Sequence, residues 1–389
     1  MRVTQLMLSN NSLRHINQGY NRLGILNDQI TSGKKITRAS QDPVVAMSGI
    51  RYRTQVIEVN QFQRNLGEVY NWMDTADATL DKTGKAIHRI RELTEQASND
   101  TYESSQRNNM AKEIKQLFEH LVSMANSKSN GKYIFNGTNT MDAPVNPDKM
   151  DIDISKIGTS GFEEINVEIV YNGYVYKHDS TNGNDITFTN KLGDTITIHN
   201  YQSDTKTIVT NQPNPRAGQE KFDQTGIEPD RIDIQLVDND VVVSAIDAVS
   251  TNRQNVDIEV LKGANLDVNI DPNNVFNNAI FGDIQRLIKA LEDPNKTGDD
   301  ITKFIANFDI HLDNIVSERA ELGARVNRAE LIEERLNEQE VIANKLMSNN
   351  EDIDFEKVLI DLKTQELVHR AALAAGARIM QPTLLDFLR

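Results

Sequence analysis

The feature that most constrains the fold is a set of apolar residues that recurs every seven positions between residues 52 and 87. These residues are Tyr52, Val59, Leu66, Met73, Leu80 and Ile87, with Phe62, Val69, Ala76 and Ile90 in a companion seam. A repeat sustained over several heptads indicates a long helix packed against other helices. Asp42 suits the N-cap of this helix and Pro43 its first position. We predict a helix of about 45 residues, roughly 70 Å long.

Two further helices are predicted in the first 136 residues. The first has a seam of Leu13, Ile16, Tyr20, Leu23 and Ile30, with Asn27 at one polar position, and Ser32-Gly33 interrupts it. The other follows the long helix. Its apolar face contains Met110, Ile114, Leu117, Leu121 and Met124, and Asn130-Gly131 is expected to end it.

Helical periodicity returns after residue 272. One face contains Phe276, Ile280, Ile284, Leu287 and Leu291. The next seam contains Ile301, Ile305, Phe308, Leu312, Ile315, Leu322, Val326, Ala329 and Leu336, with Arg319 and Glu333 interrupting it. A last helix is expected from about Asp354, with Leu373 among small residues and an apolar cluster of Leu384, Leu385, Phe387 and Leu388 beyond it. A helix of about 70 Å needs a partner of similar length, so the two ends of the chain are expected to lie side by side.

The middle of the chain, residues 137–272, has the pattern of β-structure. Two short apolar runs flank Asn172-Gly173, which predicts a hairpin with a type I′ turn. Further strands are predicted at 186–188, 195–198, 232–234 and 241–243. The expected fold is therefore mixed α and β: a long, coiled-coil-like helical bundle from both ends of the chain, with an inserted β-rich domain.

These patterns divide the chain into five regions. We expect an N-terminal assembly helix at 1–44, a helical core formed by 45–136 and 273–348, an exposed β-rich insert at 137–272, and a C-terminal assembly helix at 349–389. The predicted assembly residues are Leu13, Ile16, Tyr20, Leu23, Ile30, Leu373, Leu384, Leu385, Phe387 and Leu388. The predicted core residues are Leu66, Met73, Leu80, Ile87, Leu312, Leu322 and Val326.

Composition argues against several classes of function. The formal net charge of −15 disfavours nucleic-acid or anionic-membrane partners, and the lack of cysteine excludes disulfides and thiolate metal sites. No apolar run is long enough to span a bilayer, and the first residues do not resemble a cleavable signal peptide. The chain contains no phosphate loop, zinc motif or serine elbow. Its seven histidines are scattered and are expected on the surface.

Acidic residues also give no site in this sequence. The loop at 293–304 begins like a calcium-binding EF-hand loop, but Phe304 stands where a bidentate acid is needed. Asp299 or Asp300 is instead expected to cap a helix. Glu351, Asp352 and Asp354 are expected on solvated helix faces or at caps. We therefore expect neither enzymatic activity nor a cofactor or metal.

Four segments resemble the bacterial flagellin family. They are LNDQITSGKKITRASQDP at 26–43, RIRELTEQASN at 89–99, GKYIFNG at 131–137 and RAELGARVNR at 319–328. Within the family, the first residues, MRVTQ at 1–5, and the last, QPTLLDFL at 381–388, are similar to the ends of the members that join the flagellar hook to the filament. The β-rich middle shows no such resemblance.

The resemblance implies a structural subunit of the extracellular flagellum, exported through the flagellar type III apparatus with its N-terminus intact. It implies assembly with copies of the chain, with hook-associated protein 1 on one side and flagellin on the other, and an export chaperone that binds the C-terminal helix. Two alternatives stay open: flagellin itself, and an exported coiled-coil stalk that displays a β-rich binding domain.

Overall fold

Helices at both ends of the chain and a sheet between them make up the fold. The computed structural model describes residues 5–99, 101–159, 166–203, 206–213 and 231–380. The helices are α1 (Gln5–Ser32), α2 (Pro43–Ala97), α3 (Ser104–Ala125), α4 (Pro272–Val275), α5 (Asn278–Glu292), α6 (Gly298–Glu351) and α7 (Phe355–Met380). The strands are β1 (Lys128–Ser129), β2 (Lys132–Tyr133), β3 (Val167–Tyr171), β4 (Tyr174–Asn182), β5 (Asp185–Thr189), β6 (Thr195–His199), β7 (Thr207–Pro213), β8 (Arg231–Leu236), β9 (Val242–Ala245), β10 (Asp257–Leu261) and β11 (Ala264–Asp267). The predicted fold class is confirmed.

Helix α2 begins where its cap was predicted. The Asp42 carboxylate accepts hydrogen bonds from the backbone N–H groups of Val44 and Val45 at 3.0 and 3.1 Å, which satisfies donors that the first helical turn cannot pair internally. The helix has 55 residues rather than about 45. It is longer because buried positions continue beyond Ile87, at Leu93 and Ala97.

Seven antiparallel strands form the main sheet, in the order β8-β7-β6-β5-β4-β3-β9. The predicted β3–β4 hairpin is confirmed: Asn172 and Gly173 have φ values of 50° and 84°, as a type I′ turn requires. Strands β5 and β6 alternate buried and half-buried residues, so one sheet face packs on a core. That core contains Ile154, Ile157, Val167, Ile169, Tyr176, Ile186, Phe188, Ile196, Ile198, Tyr201, Ile208, Leu236, Val241 and Val243.

The chain forms two compact units, which we call unit 1 (residues 1–64 and 332–389) and unit 2 (residues 65–331). The division falls within α2 and within α6, so each of these helices contributes residues to both units. Unit 1 otherwise contains α1 and α7, and unit 2 contains the remaining helices and all the strands.

Helix α5 is the centre of packing in unit 2, where it contacts both α3 and the edge of the sheet. On one side Phe118 of α3 packs edge-on against Phe281, with ring centroids 5.7 Å apart. On the other side Gly282 faces Val170 of β3 so closely that a Cβ at position 282 would lie 2.6 Å from the valine Cβ. Glycine is therefore required there by the approach of helix and strand.

Several local expectations are wrong. Asn130-Gly131 is not the end of α3, which ends at Ala125 with Asn126 as its C-cap; it forms the turn between β1 and β2, with positive φ at both residues. Thr297, rather than Asp299 or Asp300, precedes α6 and pairs with Asp300 through its N–H and hydroxyl groups. His311 is buried rather than exposed, because its Nε2 lies 3.0 Å from the buried carboxylate of Asp283 on α5. In the part of the chain that is described, no helix combines the length and apolarity needed to cross a membrane.

Candidate assembly surface

Helices α1 and α7 pair along a seam within unit 1. On α1, Leu26 is buried, and Ile16, Leu23 and Ile30 are half-buried. On α7, Gly376 is buried, and a Cβ in its place would lie 3.2 Å from Cδ1 of Ile16. Small residues on α7 therefore let α1 approach closely, so the prediction that the two ends of the chain lie side by side is confirmed for the described residues.

Only some of the predicted seam positions of α1 face α7 in the structure. Tyr20 is 69% exposed, and Leu13 and Asn27 are exposed as well; Gly19 and Leu26 occupy the corresponding positions of the seam. Both registers contain Ile16, Leu23 and Ile30, so the apolar pattern alone did not distinguish them. The structure gives the reason for the choice: His369 and Gln365 of α7 lie so close to Gly19 that a Cβ there would be 3.3 and 3.4 Å from their nitrogen atoms.

A polar cluster fastens the loop after α1 to the junction of α6 and α7; we call it the clasp, formed by Lys34, Arg53, Glu351 and Asp352. Arg53 binds Glu351 with two parallel hydrogen bonds of 2.7 Å. The Lys34 Nζ lies 2.7 Å from Asp352 and 3.4 Å from Glu351. Backbone hydrogen bonds complete the clasp, from Lys35 N to Glu351 O at 2.7 Å and from Ile353 N to Gly33 O at 3.1 Å.

Glu351 is the buried member of the clasp, with 5% of the residue exposed. Its space comes from Gly49, where a Cβ would lie 2.9 Å from the carboxylate. The hydrogen bonds from Arg53, helped by Lys34, lower the pKa of Glu351 below its ordinary value of 4.5 although burial acts in the opposite direction. The carboxylate is therefore held in its charged form. The expectation that Glu351 lies on a solvated face is wrong.

Unit 1 also exposes an extensive set of large apolar side chains. The exposed residues are Met7, Leu13, Tyr20, Ile25, Val44, Met47, Ile50, Ile57, Val341, Ile342, Leu346, Phe355, Leu359, Ile360, Leu367, Val368 and Leu373. We call this set the assembly surface. Helix α7 is apolar on two opposite sides: Val358 and Leu362 lie on the α1 seam, whereas Ile360 and Leu367 are 65% and 71% exposed on the other side. A surface helix normally buries one apolar side and exposes a polar one, so the second apolar side of α7 is available to another partner.

The predicted site residues are distributed over both units. Leu13, Tyr20 and Leu373 belong to the assembly surface, and Ile16, Leu23 and Ile30 to the α1 seam. Leu384, Leu385, Phe387 and Leu388 lie outside the described residues. In unit 2 the core residues Leu66, Met73, Leu80, Ile87 and Leu322 are buried, whereas Leu312 and Val326 are half-buried. The roles assigned to these residues in assembly stay predictions.

The clasp was missed in the sequence because its members are about 300 positions apart. The resemblance at 26–43 includes Lys34 but gives no partner for it. Only the fold brings Lys34 and Arg53 to Glu351.

The fold defines a class of protein in which helices from the two ends of the chain pair and a sheet is inserted between them in the sequence. Comparison with known proteins gives the same division into helical ends and a separate middle. Residues 3–140 match the bacterial flagellin N-terminal helical region, and residues 305–388 match the bacterial flagellin C-terminal helical region. Together the two regions cover more than half of the chain. The chain therefore belongs to the bacterial flagellin family.

Individual relatives resemble parts of the chain. The flagellin of Clostridium tyrobutyricum is 28% identical over 127 residues, which is 33% of this chain and 34% of that protein. Flagellar hook-associated protein 3 of Escherichia coli K12 is 25% identical over 150 residues, or 38% of this chain and 47% of that protein. The chain thus spans about a third to a half of the length of these curated relatives.

A solved flagellar hook-associated protein from Vibrio parahaemolyticus shares the fold. Its TM-score is 0.52 at 14% identity, over 80% of this chain and all of that one.

Proposed function

We propose that this protein is a structural subunit of the bacterial flagellum at the junction between hook and filament. The observation that carries the proposal is the assembly surface of unit 1. Apolar side chains on both sides of α7 lose contact with water only when neighbouring subunits cover the outer side. Family membership at both ends of the chain agrees with assembly through those ends.

The mechanism is association of long helices. A second subunit that covers Ile360 and Leu367 removes their apolar surface from water and thereby stabilises the contact. The clasp orders unit 1 before association because it holds the loop after α1 against the α6–α7 junction. Copies of the chain, hook-associated protein 1 and flagellin are the proposed neighbours, and an export chaperone is the proposed partner of α7 before assembly.

The junction is preferred over the filament because the ends of the chain resemble the family members that join hook to filament, and relatives of that type are among its matches. The proposed structural role needs no catalytic residue, cofactor or metal.

Labelling on intact flagella tests this proposal. A gold-labelled antibody against the purified chain is expected to bind only at the boundary between hook and filament in electron micrographs. Label along the whole filament identifies the chain as flagellin and overturns the junction proposal. Secreted protein that never enters a flagellum supports the stalk alternative instead.

A further inference from the structure

Unit 2 contains a polar cavity of about 610 Å³ that assembly does not explain. Its wall is formed by the β3–β4 turn with Tyr171 and Asn172, by β8 and the residues after it, by α5, and by the first turns of α6. This volume lies within the range of about 300–1,000 Å³ that is usual for small-molecule sites. The cavity is more polar than the usual site, which restricts the kind of ligand that it can bind.

Arg286 of α5 lines the cavity and is fixed in position. Its Nε donates to the Asp240 carbonyl at 2.6 Å, and its Nη1 donates to Asp283 at 3.1 Å. The guanidinium lies over two rings, 4.8 Å from the centroid of Tyr171 and 5.1 Å from that of Phe304. The second terminal nitrogen, Nη2, makes no hydrogen bond with the described residues. Nη2 is therefore a rigidly held donor that is available to a ligand.

Asp283 provides the rigidity. It is fully buried and also accepts a hydrogen bond from Gly173 N at 3.2 Å, while His311 Nε2 lies 3.0 Å away. Burying an aspartate, an arginine and a histidine together stabilises a fold no better than apolar packing would. Such a network is better explained by the orientation that it gives to Arg286.

Asn307 of α6 adds a second polar group to the wall of the cavity. It lines the same cavity and is only 6% exposed, yet its amide makes no hydrogen bond with the described residues. The amide is not sealed inside the protein but opens into the cavity, so it is available to a molecule that binds there. The amide offers two donors and one acceptor to a molecule in the cavity.

The charges of the cavity indicate that this molecule is neutral. Lys296 pairs with Asp240 at 2.6 Å, Lys303 pairs with Asp300 at 3.0 Å, and Arg286 pairs with Asp283. Because every lining cation has an acidic partner, no unpaired charge attracts a phosphate or a carboxylate. What remains is a set of donors and acceptors, extended at the wall by the amides of Asn172, Gln235 and Asn239.

We propose that the cavity binds a neutral sugar, with Arg286 Nη2 and the Asn307 amide hydrogen-bonded to its hydroxyl groups. Hydroxyls both donate and accept, which matches amide side chains, and the rigid guanidinium supplies a fixed donor. The β-rich region would then give the flagellar subunit a second function, recognition of a glycan. Failure of this proposal leaves the assembly proposal unaffected.

Saturation-transfer NMR on the full chain tests the proposal. The probes are glucose, galactose, mannose and N-acetylglucosamine, with glucuronate and inorganic phosphate as charged comparators. We expect saturable binding of at least one neutral sugar and weaker or no binding of the charged probes. No saturable neutral sugar, or preferential binding of glucuronate or phosphate, overturns the proposal.

Variants locate the binding in the cavity. Gln235→Ala combined with Asn239→Ala changes exposed residues, so folding is retained, and binding is expected to weaken by about tenfold from lost hydrogen bonds. Asn307→Ala, with its far-ultraviolet circular dichroism checked, is expected to weaken it at least as much. Asn184→Ala, an exposed amide outside the cavity, is the control and should bind normally. Equal binding by the control and the cavity variants overturns the proposal.

Discussion

Unit 1 and unit 2 share α2 and α6, yet they place apolar side chains differently. Among the described residues, 17 of the 24 exposed large apolar side chains belong to unit 1 and seven to unit 2. Of the residues whose burial is described, unit 1 contributes five to the buried hydrophobic set: Leu26, Val59, Ile332, Leu336 and Ala343. The same type of heptad sequence thus builds a core in one unit and leaves an open surface in the other.

The difference lies in the number of partners that each helix meets. In unit 2, α5 and the sheet provide additional layers, so residues on several sides of a helix are covered. In unit 1, α1 and α7 cover one side of each other, and the remaining apolar side chains stay exposed. Single exposed apolar residues are ordinary, but a large group of them marks an interaction surface. Unit 2 is therefore expected to be stable alone, whereas unit 1 is expected to gain stability on assembly.

The largest effect is expected in the core of unit 2. Leu322→Asp places a charge at a position that is 2% exposed, which should cost about 3–5 kcal/mol of the free energy of unfolding. Trp72, the single tryptophan and a buried residue of unit 2, reports unfolding through its fluorescence in a urea titration.

Val316→Asp is the matched control, because Val316 lies on the same helix but is exposed. Its urea midpoint should match that of the unaltered chain. A normal midpoint for Leu322→Asp would mean that unit 2 does not depend on this seam, and the contrast between the units would be lost.

The sequence predicted the helices better than the sides that they bury. In α6, the predicted positions Ile301, Phe308, Ile315, Leu322, Ala329 and Leu336 are all buried. The other predicted positions of this seam, Ile305, Leu312 and Val326, are only half-buried. The buried residues are Phe304 and His311, which come one position before Ile305 and Leu312. His311 is polar, so hydrophobic periodicity could not select it; its partner Asp283 lies on another helix, 28 positions away.

The sheet, the clasp and the polar cavity also show that only local features could be predicted from the sequence. The β3–β4 hairpin was predicted because its turn is local, whereas β7, in which only Ile208 and Val209 are apolar aliphatic residues, was missed. The clasp and the polar cavity each join residues from distant segments. Such sites depend on tertiary structure, which local spacing does not contain.

The second prediction concerns the outer side of α7. Ile360→Asp combined with Leu367→Asp should leave the thermal melting of the monomer nearly unchanged, within about 0.5 kcal/mol, because both residues are exposed. Assembly should be lost, since charged side chains would be buried between subunits. The expected result is soluble subunit in the medium and non-motile cells.

Leu192→Asp combined with Val237→Asp is the matched control, because these residues are also more than half exposed but belong to the β-rich part of unit 2. Cells carrying it should swim. Normal motility with the α7 variant would show that the outer side of α7 is not an assembly contact.

The third prediction concerns the clasp of unit 1. Since the pKa of Glu351 is lowered in the folded chain, its contribution to stability is present above the ordinary value of 4.5 and is lost as the pH falls through the lowered pKa. Glu351→Gln should destabilise unit 1 by about 1–3 kcal/mol at pH 7 and by progressively less in acid. Hydrogen–deuterium exchange in α1 and α7 measures the change.

Glu356→Gln, at an exposed acid on α7, controls for the charge removed and should have little effect at any pH. A difference between Glu351→Gln and the unaltered chain that persists undiminished into acid would mean that the clasp does not act through an ionised Glu351.

The smallest expected effect is the one that distinguishes the predicted register of α1 from the observed one. The two registers differ in which of two neighbouring residues is buried. In the structure Leu26 is buried in the α1–α7 seam and Asn27 is exposed. Leu26→Ala should therefore speed hydrogen–deuterium exchange in α1, at a cost of about 2 kcal/mol, near the low end for buried leucine because this seam has few covering layers. Asn27→Leu should change exchange by no more than about 0.5 kcal/mol, since the side chain at position 27 is exposed. If Asn27→Leu instead slowed exchange and Leu26→Ala had no effect, α1 would be turned by one residue relative to α7. Leu13 and Tyr20 would then face α7, and the part of the assembly surface that α1 contributes would have to be redrawn.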